Sequence, residues 1–410
     1  MMNTTMLILR SRVKSMQGNE VMKKVIVLGG YGNFGKRIVE NLSSIKGITI
    51  LIAGRNISKS SALVEELKAT SHARLEPLVI DVFAKNFKEL LSEISPYLVI
   101  HTSGPFQGQD YRVPKACVEC GAYYIDLADD RRFVCDIGEL DQQAKDKGVL
   151  IVSGASSVPG LSSAVVERYQ NQFSVIESID LAIAPGNKAQ RGLATVEAIL
   201  SYTGHPLNVF REGRWQDVYG WMDSKVNDFG GFVGKRHLAN VDVPDLELFP
   251  NRYGVTQQVS FQAGLELPIL HLTMVGMAYL SKIGLVKNWA PLSKAIVGTS
   301  NIFLPFGSDK GAMEVLVRGK GNDGYAKEVK WTLYAPKGHG PYIPTLSTII
   351  LARKLLNNDR NGLHSHESRN NAGAMPCAGL FELSEFNTYF DALDIHFEEK
   401  IISKGEARET

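Results

Sequence analysis

Gly30-Tyr31-Gly32-Asn33-Phe34-Gly35 is the stretch on which the fold turns. It follows Val25-Ile26-Val27-Leu28, a continuous apolar run of the kind buried on both faces of a parallel sheet. It opens a segment in which Ile38, Val39, Leu42 and Ile45 share one helical face. G-x-G-x-x-G is a weak pattern alone, but a buried strand before it and an amphipathic helix after it are the context of a dinucleotide-binding turn. In that reading Gly30 permits the tight turn, Gly32 lets backbone approach a pyrophosphate, and Gly35 lets helix and strand pack closely. Free N–H groups at the helix start, from Asn33 and Phe34 onward, then face anionic phosphates.

Working outward, strands and helices alternate up to Ser153. Strands are predicted at Ile48–Ile52, Leu78–Ile80, Leu98–Ile100, Tyr123–Ile125 and Val149–Val152, with a helix after each of the first five strands of the series. One of these helices carries Phe133, Ile137, Leu140 and Ala144 as its apolar stripe, and another starts with Asn86 and Glu89 at capping-box spacing. Parallel neighbours need crossovers, so six such strands imply an α/β fold: a Rossmann-type, doubly wound parallel sheet. Beyond Ser157-Val158-Pro159-Gly160 the stretches 176–183, 207–219, 255–261, 313–318 and 329–333 alternate polar and apolar residues, with helices at Leu193–Tyr202 and Pro344–Leu356. That predicts a second, α+β domain with a largely antiparallel sheet. The expected organisation is a flexible leader over 1–22, a nucleotide domain over 23–155, a substrate and dimerisation domain over 156–340, and a helix returning to the first domain over 341–410. Residues 357–374, rich in Asn, Gly, His and Ser, read as a mobile loop, with His364 and His366 solvated.

The strand ends carry the candidate chemistry, because ligands bind at the carboxyl edge of such sheets. The second strand ends Ala53-Gly54-Arg55, with no acid to hold a ribose 2′-hydroxyl. Arg55 suits a 2′-phosphate and favours NADP over NAD, unless it is simply an exposed loop arginine. Lys59 stands nearby as a lesser candidate. Asp81, past the third strand, either meets the adenine or caps a turn. Ser103, Gly104 and Pro105 form a loop expected beside the nicotinamide ribose, and His101 before them reads as structural more readily than as a proton carrier. Asp126 ends the fifth strand at the expected rim of the crevice. It is the candidate catalytic acid or base, with a structural role weighed equally. Asp129 and Asp130 read as cap and dipole partners of the next helix. No metal-ligand spacing and no Ser-His-Asp arrangement is visible. Cys117 and Cys120 fall in a helix with no second pair and read as buried thiols.

Composition excludes some partners. The net charge of +2 over 410 residues gives no basis for nucleic-acid binding. Four cysteines suit a reducing cytoplasm. The run Leu265–Leu285, joined by Ile296–Phe306, is mostly apolar but interrupted by Pro268, His271 and Lys282. It reads first as a buried helix, and second as a peripheral membrane patch over 265–306 or an apolar substrate lid.

Together these motifs resemble the saccharopine dehydrogenase-like family of NADP-binding oxidoreductases. The likeness rests on Val27-Leu28-Gly29-Gly30-Tyr31-Gly32-Asn33-Phe34-Gly35, Ala53-Gly54-Arg55, His101-Thr102-Ser103-Gly104-Pro105-Phe106 and the stretch Ala116 to Asp126, over residues 24–165. The resemblance implies NADP along the sheet edge, a small-molecule substrate in an interdomain cleft, and a homodimer through the second sheet. Hydride transfer to an imine, an amino-acid adduct or a hydrophobic carbonyl or enoyl substrate is the expected chemistry. The alternative is a non-catalytic NADP-binding protein whose occupancy gates a partner interface.

Overall fold

The computed structural model describes residues 22–357 and 372–403. The leader, except Met22, and most of the polar loop, with both its histidines, lie outside the described residues.

Seven parallel strands build the first sheet: β1 (Lys23–Leu28), β2 (Ile48–Gly54), β3 (Arg74–Val79), β4 (Leu98–His101), β5 (Tyr123–Asp126), β6 (Leu150–Ser153) and, from far along the chain, β15 (Gly373–Pro376). Their order is β15-β6-β5-β4-β1-β2-β3. The strand order reverses between β1 and β4, which opens a crevice at their carboxyl ends. Helices α1 (Asn33–Leu42), α2 (Ile57–Leu67), α3 (Phe87–Ile94) and α4 (Arg112–Cys120) make the crossovers. Helix α1 buries Gly35, Ile38, Val39 and Leu42, spaced as one helical face. Asn56 starts α2, its side chain accepting the Lys59 N–H at 3.1 Å. Asn86 makes no such bond at α3, so the expected capping box is absent there. The stripe Phe133, Ile137, Leu140 and Ala144 is buried as predicted. It lies on a broken run rather than one helix: α5 (Arg131–Cys135), a 3-10 turn, and α6 (Asp141–Lys147).

After α7 (Ser162–Gln170) the second domain begins with β7 (Phe173–Ala184) and α8 (Leu193–Tyr202). The stretch expected to alternate over 207–219 is a hairpin, β8 (Pro206–Arg211) and β9 (Arg214–Tyr219), reversed at Glu212 and Gly213, both in the left-handed region. Then follow β10 (Lys225–Asp228), β11 (Lys235–Asn240), α9 (Asp245–Arg252), β12 (Gln258–Ala263), α10 (Pro268–Lys282), α11 (Ser293–Asn301), β13 (Gly311–Gly321), β14 (Ala326–Ala335), α12 (Ile343–Leu356) and, after β15, β16 (His396–Ser403). The sheet runs β10-β11-β12-β7-β13-β14-β16 and is antiparallel except where β12 joins β7. The fold is therefore α/β, with a parallel sheet and a second, mostly antiparallel mixed sheet.

Two expectations need correction. The segment from 341 onward does more than return to the first domain: β15 extends the parallel sheet while β16 pairs with β14 in the other. It stitches the domains together, and Arg353 of α12 bonds Asn41 at the end of α1 at 2.9 Å. The apolar run 265–285 is not a buried helix. α10 buries only His271, Met274, Ala278 and Ser281, and its Ile269, Leu272, Tyr279 and Leu280 are exposed.

Candidate functional site

The turn out of β1 is built by backbone contact. Gly29 takes φ of +75°, a conformation that favours glycine, and Gly29 and Gly30 both donate N–H to Ala53 O, at 2.9 and 3.1 Å. The left-handed position is thus Gly29, one residue before the pattern read from sequence. A Cβ on Gly30 would come within 2.9 Å of Val27 O, and one on Gly35 within 2.2 Å of Gly29 O. Gly32 precedes α1, and no side chain caps the helix there. The turn is packed too closely for a side chain at Gly30 or Gly35, and the free N–H groups at the start of α1 beside it fit the pyrophosphate of a dinucleotide.

The other walls come from β2, β4 and the second domain. Tyr31 packs its ring across Gly54, where a Cβ would lie 2.4 Å from the ring, and its hydroxyl accepts the Asn56 N–H at 3.1 Å. Arg55 is exposed beside it, and the Lys59 ammonium sits 6.0 Å from the Tyr31 ring centroid. Asp81 is exposed past the edge strand β3 and already accepts the Phe83 N–H at 3.0 Å. At the end of β4, Thr102 Oγ1 donates to Leu28 O at 2.8 Å, and Ser103 Oγ would be 2.9 Å from a Cβ on Gly29. Gly104 and Pro105 follow, joined by a cis peptide bond. From the second domain, Gln190 accepts from Arg37 at 3.0 Å, a Cβ on Gly192 would lie 3.8 Å from Asn33, and one on Gly104 3.7 Å from Ala194. The amino end of α8, also without a side-chain cap, therefore overhangs the amino end of α1. Two positive helix ends meet at the glycine turn.

Further along the carboxyl edge lies a cavity of about 240 Å³, lined by Gln107, Asp129, Asp130, Arg131, Ser201, Tyr202 and Asp242. Arg131 pairs with Asp242 and also donates to Asn208 O at 2.5 Å. Gln107 donates to Asp129 at 3.2 Å. Burial raises the pKa of Asp129, Asp130 and Asp242 above the usual carboxylate value. The cavity thus carries three carboxyl groups, of which Asp242 is paired with Arg131. Asp130 is a helix cap as expected, accepting the Phe133 N–H at 2.8 Å, but Asp129 is not; it faces the cavity.

The sequence-based candidates for proton chemistry lie elsewhere. Asp126 is fully buried, not at the rim. Its Oδ1 accepts from Ser153 Oγ at 3.0 Å and from the backbone N–H groups of Ala128 and Gly154 at 2.9 and 2.7 Å. It ties the ends of β5 and β6 together, and burial pushes its pKa up to about 6 against those donors and the Tyr124 hydroxyl. His101 is equally buried, with Nδ1 3.0 Å from the Tyr124 hydroxyl, and burial lowers its pKa to about 3. It stays neutral and does not line the cavity. Cys117 is buried, and no cluster of three or more His, Cys, Asp or Glu able to hold a metal occurs among the described residues.

Residues 25–152 match the family model described as the saccharopine dehydrogenase NADP-binding domain. The match covers the parallel-sheet domain from β1 to β6. The saccharopine dehydrogenase-like fold extends beyond it: apo saccharopine dehydrogenase (L-Glu forming) from Saccharomyces cerevisiae superposes on 93% of this chain and 100% of its own, with TM-score 0.63 at 12% identity. A Caenorhabditis elegans protein named "Lipid droplet localized protein" is 27% identical over 143 residues, 33% of this chain. The match spans 34% of that relative's length.

Sequence reasoning missed Gly29, Tyr31, the α8 overhang and the acidic cavity. The Gly29-Gly30 doublet after a strand was a usable signal for the first. Asp242 and Tyr202 carry none, since only the packing of distant segments brings them together. Asp245 was missed as well. It is fully buried, bonded to Ser162 Oγ at 2.5 Å, and burial lifts its pKa to about 7.

Proposed function

We propose that this chain is an NADP-dependent oxidoreductase acting in the cleft between its domains on a substrate with a cationic or imine nitrogen. The acidic cavity at the carboxyl edge of the sheet carries this reading. A protonated amine or iminium is favoured beside carboxylates, since its charge in turn favours their ionised form. The hydrophobic carbonyl or enoyl alternative was motivated by residues 265–306, and none of them lines the cavity. Gly30, Gly32, Asn33, Phe34 and Gly35 would cradle the pyrophosphate, overhung by α8. Arg55 and Lys59 would meet the 2′-phosphate beside Tyr31, with Asp81 toward the adenine. Ser103, Gly104 and Pro105 would border the nicotinamide ribose. The bound cofactor would supply the hydride. The protein would orient the acceptor nitrogen with Asp129 and Asp130, and α8, already over the glycine turn, would shield the site from water.

The second reading is a non-catalytic NADP-binding protein. It is favoured by the burial of Asp126 and His101 away from the cavity, which leaves only carboxylates and Tyr202 as proton donors there. NADPH oxidation measured against panels of imines and of carbonyls separates the two. Turnover with imines supports the first; tight NADPH binding with no turnover on either panel supports the second. A homodimer, a cytoplasmic location and lipid contact through 265–306 remain part of this proposal. The name of the nematode relative supports the lipid contact.

A further inference from the structure

No helix among the described residues is long and apolar enough to cross a membrane. Yet the second domain turns apolar side chains toward solvent. On α10 the stripe is Ile269, Leu272, Tyr279 and, just past the helix, Ile283, spaced by three, seven and four residues as one helical face requires. Leu285 in the following turn is 70% exposed. Just before and after α11, Leu292, Ile302 and Phe306 are also exposed, the last 74%. Exposed apolar faces of this kind mark protein or membrane interaction sites.

The opposite faces hold these helices firmly. His271 Nε2 lies 2.9 Å from Ser224 Oγ, and Trp289 Nε1 donates to Ser281 Oγ at 2.8 Å. Ser293 Oγ donates to Glu197 of α8 at 3.1 Å, and Arg191 to Ser300 Oγ at 2.8 Å. The platform is therefore ordered without its outer face being covered, and it is bolted to the helix that overhangs the glycine turn.

Charge selects the occupant. Residues 268–306 contain Lys282, Lys287 and Lys294 and no Asp or Glu, in a chain with 43 acidic and 45 basic residues. Lysine is depleted from the cores of protein interfaces, which argues against a second copy. It is the residue expected where an amphipathic helix lies on anionic lipid, its stem in the apolar layer and its ammonium among headgroups. We infer that α10, α11 and the turn between them dock on an anionic phospholipid surface, lying in its interface without crossing it. This deepens the lipid contact proposed above and does not depend on whether the cleft turns over a substrate.

The test is flotation of the full chain with vesicles of phosphatidylcholine alone and of phosphatidylcholine with phosphatidylserine, at low and high salt. The unaltered chain should bind the anionic vesicles at least about tenfold more than the neutral ones, and high salt should weaken that binding. The double variant Ile283→Asp/Leu285→Asp should lose at least about tenfold in binding. Lys287→Glu/Lys294→Glu should lose the preference for phosphatidylserine. Circular dichroism melts follow folding of both variants, and NADPH binding follows the cleft independently, so failure of the oxidoreductase reading leaves this result intact. Flotation of the Ile283→Asp/Leu285→Asp variant equal to that of the parent overturns the inference, as does absence of flotation by the parent. A parent dimer in sedimentation velocity that the same variant dissociates, without vesicle binding, assigns the face to a second copy instead.

Discussion

The two ends of the cleft are built in different ways. The nucleotide end is mostly one uninterrupted stretch, Val27 to Arg37, closed by the tip of β4 and the overhang of α8. The acidic end takes Gln107, the run Asp129–Arg131, Ser201 with Tyr202, and Asp242, from four separate stretches. At the first end the constraint is local backbone geometry, written in glycines. At the second it is a charge field that exists only once both domains have packed. The first end is therefore specified by neighbours in the chain, and the second by which distant side chains the packing brings together.

That contrast breaks most readily at Gly35. A Cβ there would sit 2.2 Å from Gly29 O, against backbone that cannot move without dismantling the turn. Gly35→Val is expected to cost about 1–3 kcal/mol of stability and to weaken NADPH binding by at least about a hundredfold, near 3 kcal/mol. Fluorescence titration beside a thermal melt checks this. Near-normal NADPH affinity in a folded variant would sink the assignment of the cradle. At the acidic end, Asp129→Asn removes one negative charge and keeps the Gln107 contact. It should raise KM for a cationic substrate by about tenfold, some 1.4 kcal/mol, and leave NADPH affinity alone. A KM that stays put, or a loss confined to NADPH, would show that the cavity does not read substrate charge.

The same division explains what was legible in sequence. Strand periodicity and glycine placement gave the six parallel strands, α1 and α8, because each follows from neighbours in the chain. The tight turn is placed on Gly30 from sequence, whereas the left-handed residue is Gly29; both suit a turn, and only the close approach of Thr102 and Ala53 tells them apart. The run at 265–285 was read as buried because hydropathy reports what a residue prefers, not whether the fold supplies a partner. Asp129 was read as a cap because its neighbour Asp130 is one. Arg55 lies between these cases: its place after β2 is local, but what it meets depends on the ligand. Arg55→Ala should weaken NADPH binding by about fivefold, roughly 1 kcal/mol for an exposed ionic contact, and change NADH affinity by less than about twofold. Equal affinity of the unaltered chain for both cofactors would remove the case for NADP from this residue.

Asp126 is the sharpest test of the comparison because it sits at a strand end, where sequence weighs chemistry against structure equally, and it is buried and bonded to Ser153, Ala128 and Gly154. Asn at this position keeps an oxygen for Ser153 Oγ and the two backbone donors, so Asp126→Asn should fold and retain turnover to within about twofold. A loss of turnover of about a hundredfold or more, with NADPH binding intact, would restore the catalytic assignment. The pH dependence of stability gives a second readout with a definite sign. The folded pKa of Asp126, about 6, lies above the ordinary 3.8. The folded protein thus holds this proton more tightly than the unfolded chain does. The stabilisation from that proton is complete below about pH 4 and is lost as pH rises through 6. Asp126→Asn does not titrate, so its melting temperature should fall less than the parent's between pH 4 and pH 7. Parallel melting curves for the two proteins across that range would mean that the carboxylate is already charged in the fold, carried by its donors, and that burial alone does not set its behaviour.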